Sequence, residues 1–394
     1  MQDLSKSRVL FFVPGSSVLN YGTFASQVLG MARALVRLGA QCAILHKQKD
    51  ADKKKTELEP GISLLNITNE DPSLPVYRLP ERYKIVVDRF RSEISEFAPT
   101  HVYTREYGCE LGILTFCRDN GIKLVYSMRG PDAYERRLLG GLKNFIASLF
   151  MLRDVRKAVR SCDVFTTLSD NFVEWCAKEY GRVGLRLPCC VSDTFFQKIS
   201  DDERAQIRSK LGFAANDRVV VWCGNVAYWQ ILDSVVAFIN GMMTYDQSIK
   251  CLFIANNPEK MEAYCQSAKM DKEKYRIVSG AYSEIPKYLQ SCDVGIDLLA
   301  VDDFKSSICC PIKVGEYLAS GLPVIISRTM GDFPRIVSST NTGVILGDIV
   351  DHRAMANSIA NLTQHPRERQ ISAAKKYFGW NSYTKELIEI FSVK

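Results

Sequence analysis

The sequence predicts an α/β fold of two Rossmann-like halves, each a parallel sheet with helices between its strands. Three observations carry that expectation. The chain has 394 residues, long for one domain and comfortable for two, each able to bury its own core. Short apolar runs bounded by turn residues alternate with stretches of helical periodicity, the order that gives parallel strands joined by right-handed crossovers. Finally, Ser306–Ser327, reading SSICCPIKVGEYLASGLPVIIS, has the pattern of a bounded helix followed by a buried strand.

In the amino-terminal half, Arg8–Pro14 (RVLFFVP) reads as the first strand, followed by a loop rich in Gly and Ser. A helix then carries Phe24, Val28, Met31, Leu35 and Leu38 at helical spacing, Gly39 ends it, and Gln41–Leu45 returns as a strand. Ligands of such sheets bind beyond the carboxyl ends of the strands. That rule places the loop Gly15–Thr23, with Gly15, Tyr21, Gly22 and Thr23, in a central cleft, together with Arg105 and Glu106 after one strand and Arg129 and Asp132 after another. The charged stretch Lys47–Glu59 reads as a solvated insertion. The expected division is 1–193 for the first domain, completed by 378–394, and 194–377 for the second, with the helix Ser382–Phe391 crossing back to the first.

Within Ser306–Ser327, Pro311 suits the first helical position and Gly321 the left-handed residue just past the end. Lys313 and Glu316 stand three residues apart and share a face. Lys313 lies in the first turn, where the helix dipole disfavours a cation, and an anion resolves that conflict. A diphosphate at the helix N-terminus, with Lys313 beside it and Glu316 accepting hydrogen bonds from a ribose, satisfies the pattern. The competing reading is an ordinary surface Lys–Glu pair.

The spacing P-x-K-x-x-E-Y-L-A-x-G-x-P-V-I, Pro311 to Ile325, resembles the donor-site segment of the retaining GT-B glycosyltransferases, family 4 in particular. Further pieces resemble that family in the right order: Leu124–Pro131 (LVYSMRGP), Cys162–Ser169 (CDVFTTLS), Leu187–Phe196 (LPCCVSDTFF), Val219–Trp229 (VVVWCGNVAYW), Glu284–Asp297 (EIPKYLQSCDVGID) and Phe378–Trp380. The resemblance spans nearly the whole chain. It implies a GT-B fold, two Rossmann-like domains facing a cleft, and a retaining, metal-independent transferase that moves a sugar from a UDP- or GDP-linked donor, without a cofactor, to a glycan or lipid-linked acceptor. Bacterial surface polysaccharide, such as O-antigen or capsule, is the implied product. The implied donor-side residues are Gly224, Asn225, Gln230, Ser307, Cys309, Cys310, Pro311 and Ile312 with Lys313 and Glu316; Lys313, Glu316 and Arg129 carry the chemistry. The acceptor side draws on Gly15, Tyr21, Gly22, Thr23, Arg105, Glu106 and Asp132.

The chain departs from the family pattern in three places. The first glutamate of the family's paired-glutamate motif falls at Ile308. Asn225 and Gln230 stand where many relatives carry an Arg and a Lys, and Arg129 where many carry a histidine. An arginine cannot act as a general base, so front-face retention is the expected course. The alternatives left open are a non-catalytic GT-B scaffold that binds a partner and a nucleotide-sugar epimerase. The sequence argues against an NAD dehydrogenase, because the loop after the first strand does not make G-x-G-x-x-G and the strand near Val219 is followed by only one glycine, Gly224.

Composition describes an ordinary soluble chain, with 46% hydrophobic and 24% charged residues and net charge +7. No signal peptide and no apolar run of the roughly 18 residues needed to span a bilayer is visible, so the cytoplasm is expected. The 13 cysteines include no C-x-x-C pair and read as thiols. No histidine has a metal-ligand spacing partner, and Asp302–Asp303 reads as solvated surface. Residues Arg136–Arg160 alternate apolar and basic side chains. That pattern fits either a core helix with a cationic outer face or a peripheral contact with an anionic membrane at the inner face of the plasma membrane. No nucleic-acid module is evident.

Overall fold

The computed structural model describes residues 4–17, 22–48, 54–67, 74–227, 230–300, 304–347 and 351–393. The chain divides into two compact units, Met1–Pro188 with Tyr383–Lys394, and Cys189–Ser382. The first junction falls at Pro188 rather than 193, and the second at Ser382 rather than 377. Local pairing sets both: Val191 bridges Gly379 in parallel, and Phe378 stacks on Phe333 at 4.9 Å within the second unit.

The first unit holds eight strands: β1 (Arg8–Val13), β2 (Gln41–Lys47), β3 (Lys55–Glu59), β4 (Ile62–Ile67), β5 (His101–Thr104), β6 (Lys123–Ser127), β7 (Val164–Thr167) and β8 (Leu185–Arg186). They form one sheet in the order β3-β4-β2-β1-β5-β6-β7-β8. All neighbours run parallel except β3 and β4. The run Val9–Val13 is fully buried, as expected of a central strand covered on both faces. The charged stretch corrects the expected insertion. Lys55–Glu59 is an edge strand, paired antiparallel with β4, and Glu59 takes two hydrogen bonds from Arg33 at 2.8 and 3.1 Å. Charged side chains on an edge strand also guard its open side against pairing with other chains.

After β1 the expected helix is built in three pieces, Gly22–Phe24, a π turn over Ala25–Leu29 and Gly30–Arg37. The terminal helix Thr384–Phe391 packs in the first unit. The Ser7 hydroxyl donates to the Phe391 carbonyl at 2.6 Å, Lys123 Nζ donates to the Ser392 carbonyl at 3.3 Å, and the Phe391 ring lies edge-on to His101.

The second unit holds β9 (Arg218–Gly224), β10 (Ile249–Ala255), β11 (Tyr275–Val278), β12 (Val294–Asp297), β13 (Val324–Ser327) and β14 (Gly343–Leu346) in the order β11-β10-β9-β12-β13-β14, all parallel. Side chains alternate between two buried layers: Val220, Trp222, Cys251 and Phe253 on one face, Val219, Val221, Leu252 and Ile254 on the other. The helix Ile312–Ala319 lies against the second face. It approaches closely because residue 295 is glycine: a Cβ there would sit 2.4 Å from the Tyr317 ring. Its first residue is Ile312, so Pro311 is the capping residue in extended conformation rather than the first helical one. Gly321 has φ +80° one residue past the C-cap, as expected of the helix-ending glycine.

Candidate functional site

Lys313 and Glu316, brought in on the first turns of the helix Ile312–Ala319, face the carboxyl ends of β9 and β12. Both are nearly buried. Lys313 Nζ lies 2.9 Å from Asp297 Oδ1, donates to Gln230 Oε1 at 2.5 Å and sits 5.0 Å from the centre of the Trp222 ring. The anion that offsets a cation in the first helical turn is therefore supplied by the protein. Asp297, the last residue of β12, is fully buried; its Oδ1 faces Lys313 as an ion pair, and neither of its oxygens meets hydrogen-bond geometry with a partner among the described residues. Burial pushes its carboxyl pKa up, against the pull of Lys313. The ammonium has three N–H donors. One is directed to Gln230, beside the ion pair with Asp297.

Glu316 accepts a hydrogen bond from the Tyr282 hydroxyl at 2.7 Å. Burial raises its pKa from the ordinary carboxylate range to about 7, against the opposing pull of the Tyr282 hydrogen bond. The next side chain, Tyr317, is held by the backbone: the Cys223 N–H donates to its hydroxyl at 2.7 Å. This bond ties the helix to the end of β9, one residue before Gly224.

Around this pair the other expected donor-side residues fall as follows. Gly224 closes β9 and Asn225 is exposed just after it. Ser307 donates to the Phe304 carbonyl at 2.7 Å, and Cys309 Sγ to the Ser306 carbonyl at 3.1 Å. Cys310 Sγ accepts from the Cys189 N–H at 3.3 Å. The 13 cysteines are all free thiols. Ile308, at the position of the absent carboxylate, is buried. Asp302 and Asp303 lie outside the described residues. Among the described residues no group of three or more His, Cys, Asp or Glu converges as a metal site.

Of the described residues assigned to the acceptor, Gly15, Arg105, Glu106 and Asp132 follow the carboxyl ends of the adjacent strands β1, β5 and β6 in the first unit. Glu106 is already engaged: the Gly15 N–H donates to Oε2 at 2.9 Å and the Ser16 hydroxyl to Oε1 at 2.6 Å. It therefore shapes the loop after β1. The Arg105 guanidinium lies over the Phe24 ring at 4.7 Å. Arg129 donates to Gln27 Oε1 at 3.0 Å, a residue of the π turn that is itself buried. Asp132 opens the helix Asp132–Leu138. Gly22 begins the first helical piece, Thr23 follows it in the backbone, and Tyr21 lies outside the described residues.

Sequence reasoning missed Asp297, Tyr282 and Trp222. Asp297 left a signal, a carboxylate at the end of an otherwise apolar buried strand. Tyr282 and Trp222 left none, because their contacts cross between elements far apart in sequence.

Residues 217–365 match the family model described as Glycosyl transferases group 1. Over 98% of both chains, the structure resembles sucrose-phosphate synthase from Thermosynechococcus elongatus, with TM-score 0.76 and 15% identity. It resembles Anabaena HepE in complex with UDP-glucose at TM-score 0.66 and 14% identity, over 97% of this chain and 98% of that one. WaaG, a glycosyltransferase involved in lipopolysaccharide biosynthesis, matches with TM-score 0.65 and 12% identity over 98% of this chain and 100% of that one. No curated protein matches by sequence. The two parallel-sheet units of this chain share the GT-B fold of these solved glycosyltransferases. The stretch that matches the Glycosyl transferases group 1 model lies within the second unit.

Proposed function

We propose that this protein is a retaining glycosyltransferase that moves a sugar from a UDP- or GDP-linked donor to a glycan or lipid-linked acceptor of bacterial surface polysaccharide, without a metal or other cofactor. The observation that carries this reading is the buried Lys313–Glu316 pair at the start of the helix Ile312–Ala319, inside the segment that matches the family. The donor's diphosphate meets the Lys313 ammonium and the N–H groups of the first helical turn, and Glu316 takes the ribose hydroxyls. During transfer the anomeric C–O bond breaks and the diphosphate carries the electron pair away. The acceptor oxygen bonds to the anomeric carbon on the same face, and its proton passes to the departing phosphate oxygen. Preorganised donors aimed at that oxygen lower the barrier most. Arg129, held by Gln27, offers charge to an anionic acceptor rather than a base.

Two of the solved relatives support the choice of donor and product. HepE was crystallised with UDP-glucose, and WaaG is involved in lipopolysaccharide biosynthesis. A second reading, a scaffold that binds without catalysis, is favoured by the apolar, buried Ile308 and by the pairing of Lys313 with Asp297. Thermal shift of the purified protein against UDP, GDP, CMP and ADP and their sugar conjugates separates the two. A ligand that binds only the folded state raises the melting temperature. A shift with UDP or GDP that disappears in Glu316→Ala, together with loss of sugar transfer, is expected. No shift with any nucleotide sinks the donor site, and a shift without transfer leaves the scaffold.

A further inference from the structure

The helix Leu142–Ser161 divides cleanly by face and by length. Its inner face, with Ala147, Met151, Val155, Ala158 and Val159, is buried in the first unit. Its outer face is apolar over the first half. Leu142 is 74% exposed, Phe145 48%, Ile146 45%, Leu149 46% and Phe150 44%. Leu138 and Leu139, just before the Gly140–Gly141 turn, extend the patch at 72% and 52% exposed. Thirteen large apolar side chains are exposed among the described residues, and seven of them fall within residues 138–150. Such concentration marks an interaction surface rather than ordinary scatter.

Over the second half the same face turns basic. Positions 142, 146, 149, 153, 156 and 160 recur at steps of three and four and stand in one row, which changes from Leu, Ile and Leu to Arg, Arg and Arg. Arg153 and Arg156 are paired with Asp154 and Glu179. Lys143, Lys157 and Arg160 have no acidic partner among the described residues. A surface hollow of about 470 Å³ beside this basic end is lined by Leu149, Leu152, Arg153, Arg156, Lys157 and Arg160.

We propose that this face docks the protein on an anionic bilayer, with the Leu138–Phe150 patch entering the acyl boundary and Lys157 and Arg160 meeting lipid phosphates. Charge complementarity selects that occupant. A second copy packed in parallel would set cations against cations, and packed antiparallel would set cations against Leu142–Phe150. A bilayer presents an apolar layer with anionic groups beside it, the order in which this helix offers its side chains. Lys143, within the apolar half, reaches the headgroups along its aliphatic stem. Among the described residues no helix is long and apolar enough to cross a membrane, so the contact lies on the surface of the bilayer. The inference does not depend on the donor chemistry.

Flotation of the full chain with vesicles of phosphatidylcholine containing phosphatidylglycerol, against phosphatidylcholine alone, tests it. Binding to the anionic vesicles is expected, weakened by high salt and lost in Leu142→Glu/Leu149→Glu. In Lys157→Ala/Arg160→Ala the partition coefficient falls roughly 25-fold, from about fivefold per basic side chain. All these side chains are exposed, so the variants retain the wild-type melting temperature; Leu142→Ser/Leu149→Ser replaces the first pair should it fail to fold. Absence of flotation overturns the proposal, as does equal binding to neutral vesicles that the basic variant leaves unchanged. Concentration-dependent self-association in sedimentation, abolished by Leu142→Glu/Leu149→Glu, would assign the face to a second copy instead.

Discussion

The carboxyl of Glu316 carries the sharpest consequence of burial. Its pKa is about 7 in the folded chain against an ordinary value of 4.5. The folded state thus holds this proton more tightly than the unfolded one. The associated stability is full below pH 4.5 and is lost as pH rises through 7. Glu316→Gln keeps an acceptor for Tyr282 without the charge. The stability difference between variant and wild type should therefore shift in the variant's favour by about 2 to 3 kcal/mol between pH 4.5 and pH 8. Urea unfolding midpoints at the two ends of that window check this, and an unchanged difference would mean the carboxyl is solvated. Lys313 and Asp297 act as a unit. Lys313→Met leaves Asp297 buried without its cation and is expected to cost about 3 kcal/mol. Adding Asp297→Asn should recover at least about 1 kcal/mol, giving a coupling that a double-mutant cycle reads directly. Additive losses would show that the 2.9 Å contact carries no energy.

At the scale of elements, the helix Ile312–Ala319 is positioned by its ends and by the glycines that let it approach. Gly321 adopts φ +80°, and a Cβ there would meet the Arg367 side chain at 2.9 Å. Gly321→Ala is expected to destabilise the second unit by about 1 to 2 kcal/mol, the cost of a left-handed alanine, read as a lowered denaturation midpoint. The end of this helix was legible in the sequence, and its start to within one residue at Pro311, because caps are local chemistry. The strand Lys55–Glu59 was not legible. A charged, half-exposed edge strand has the composition of a loop, and only its pairing with β4 reveals it. The π turn at Ala25–Leu29 was likewise hidden, since its residues keep the apolar spacing of a regular helix.

The whole molecule is two units sharing one discontinuous chain. The terminal helix completes the first unit: Leu387, Ile390 and Phe391 are at most 2% exposed there. Deleting residues 384–393 should lower the melting transition of the first unit by several degrees, while the second unit, which lacks this helix, keeps its own. Calorimetry separates the two transitions; an unchanged profile would mean that the helix contributes no packing to the first unit. The same contrast tests the division at Ser382, because a boundary set by packing predicts which unit loses stability.

By itself the sequence determined the alternation of strands and helices, the two-unit organisation and the segment around Lys313 and Glu316. These follow from periodicity, capping and short spacings, all local properties of the chain. Tertiary structure alone decided what those side chains meet. Asp297 and Gln230 reach Lys313, Tyr282 reaches Glu316, Gln27 reaches Arg129, and Glu106 turns to the loop after β1. It also decided between two outer faces for the helix Leu142–Ser161. The sequence showed apolar and basic residues alternating. Only the packing of Ala147, Met151 and Val155 showed that the larger apolar side chains point away from the core. The reason is physical: periodicity states which residues share a face, whereas the partner of that face is fixed by contacts between segments distant in sequence.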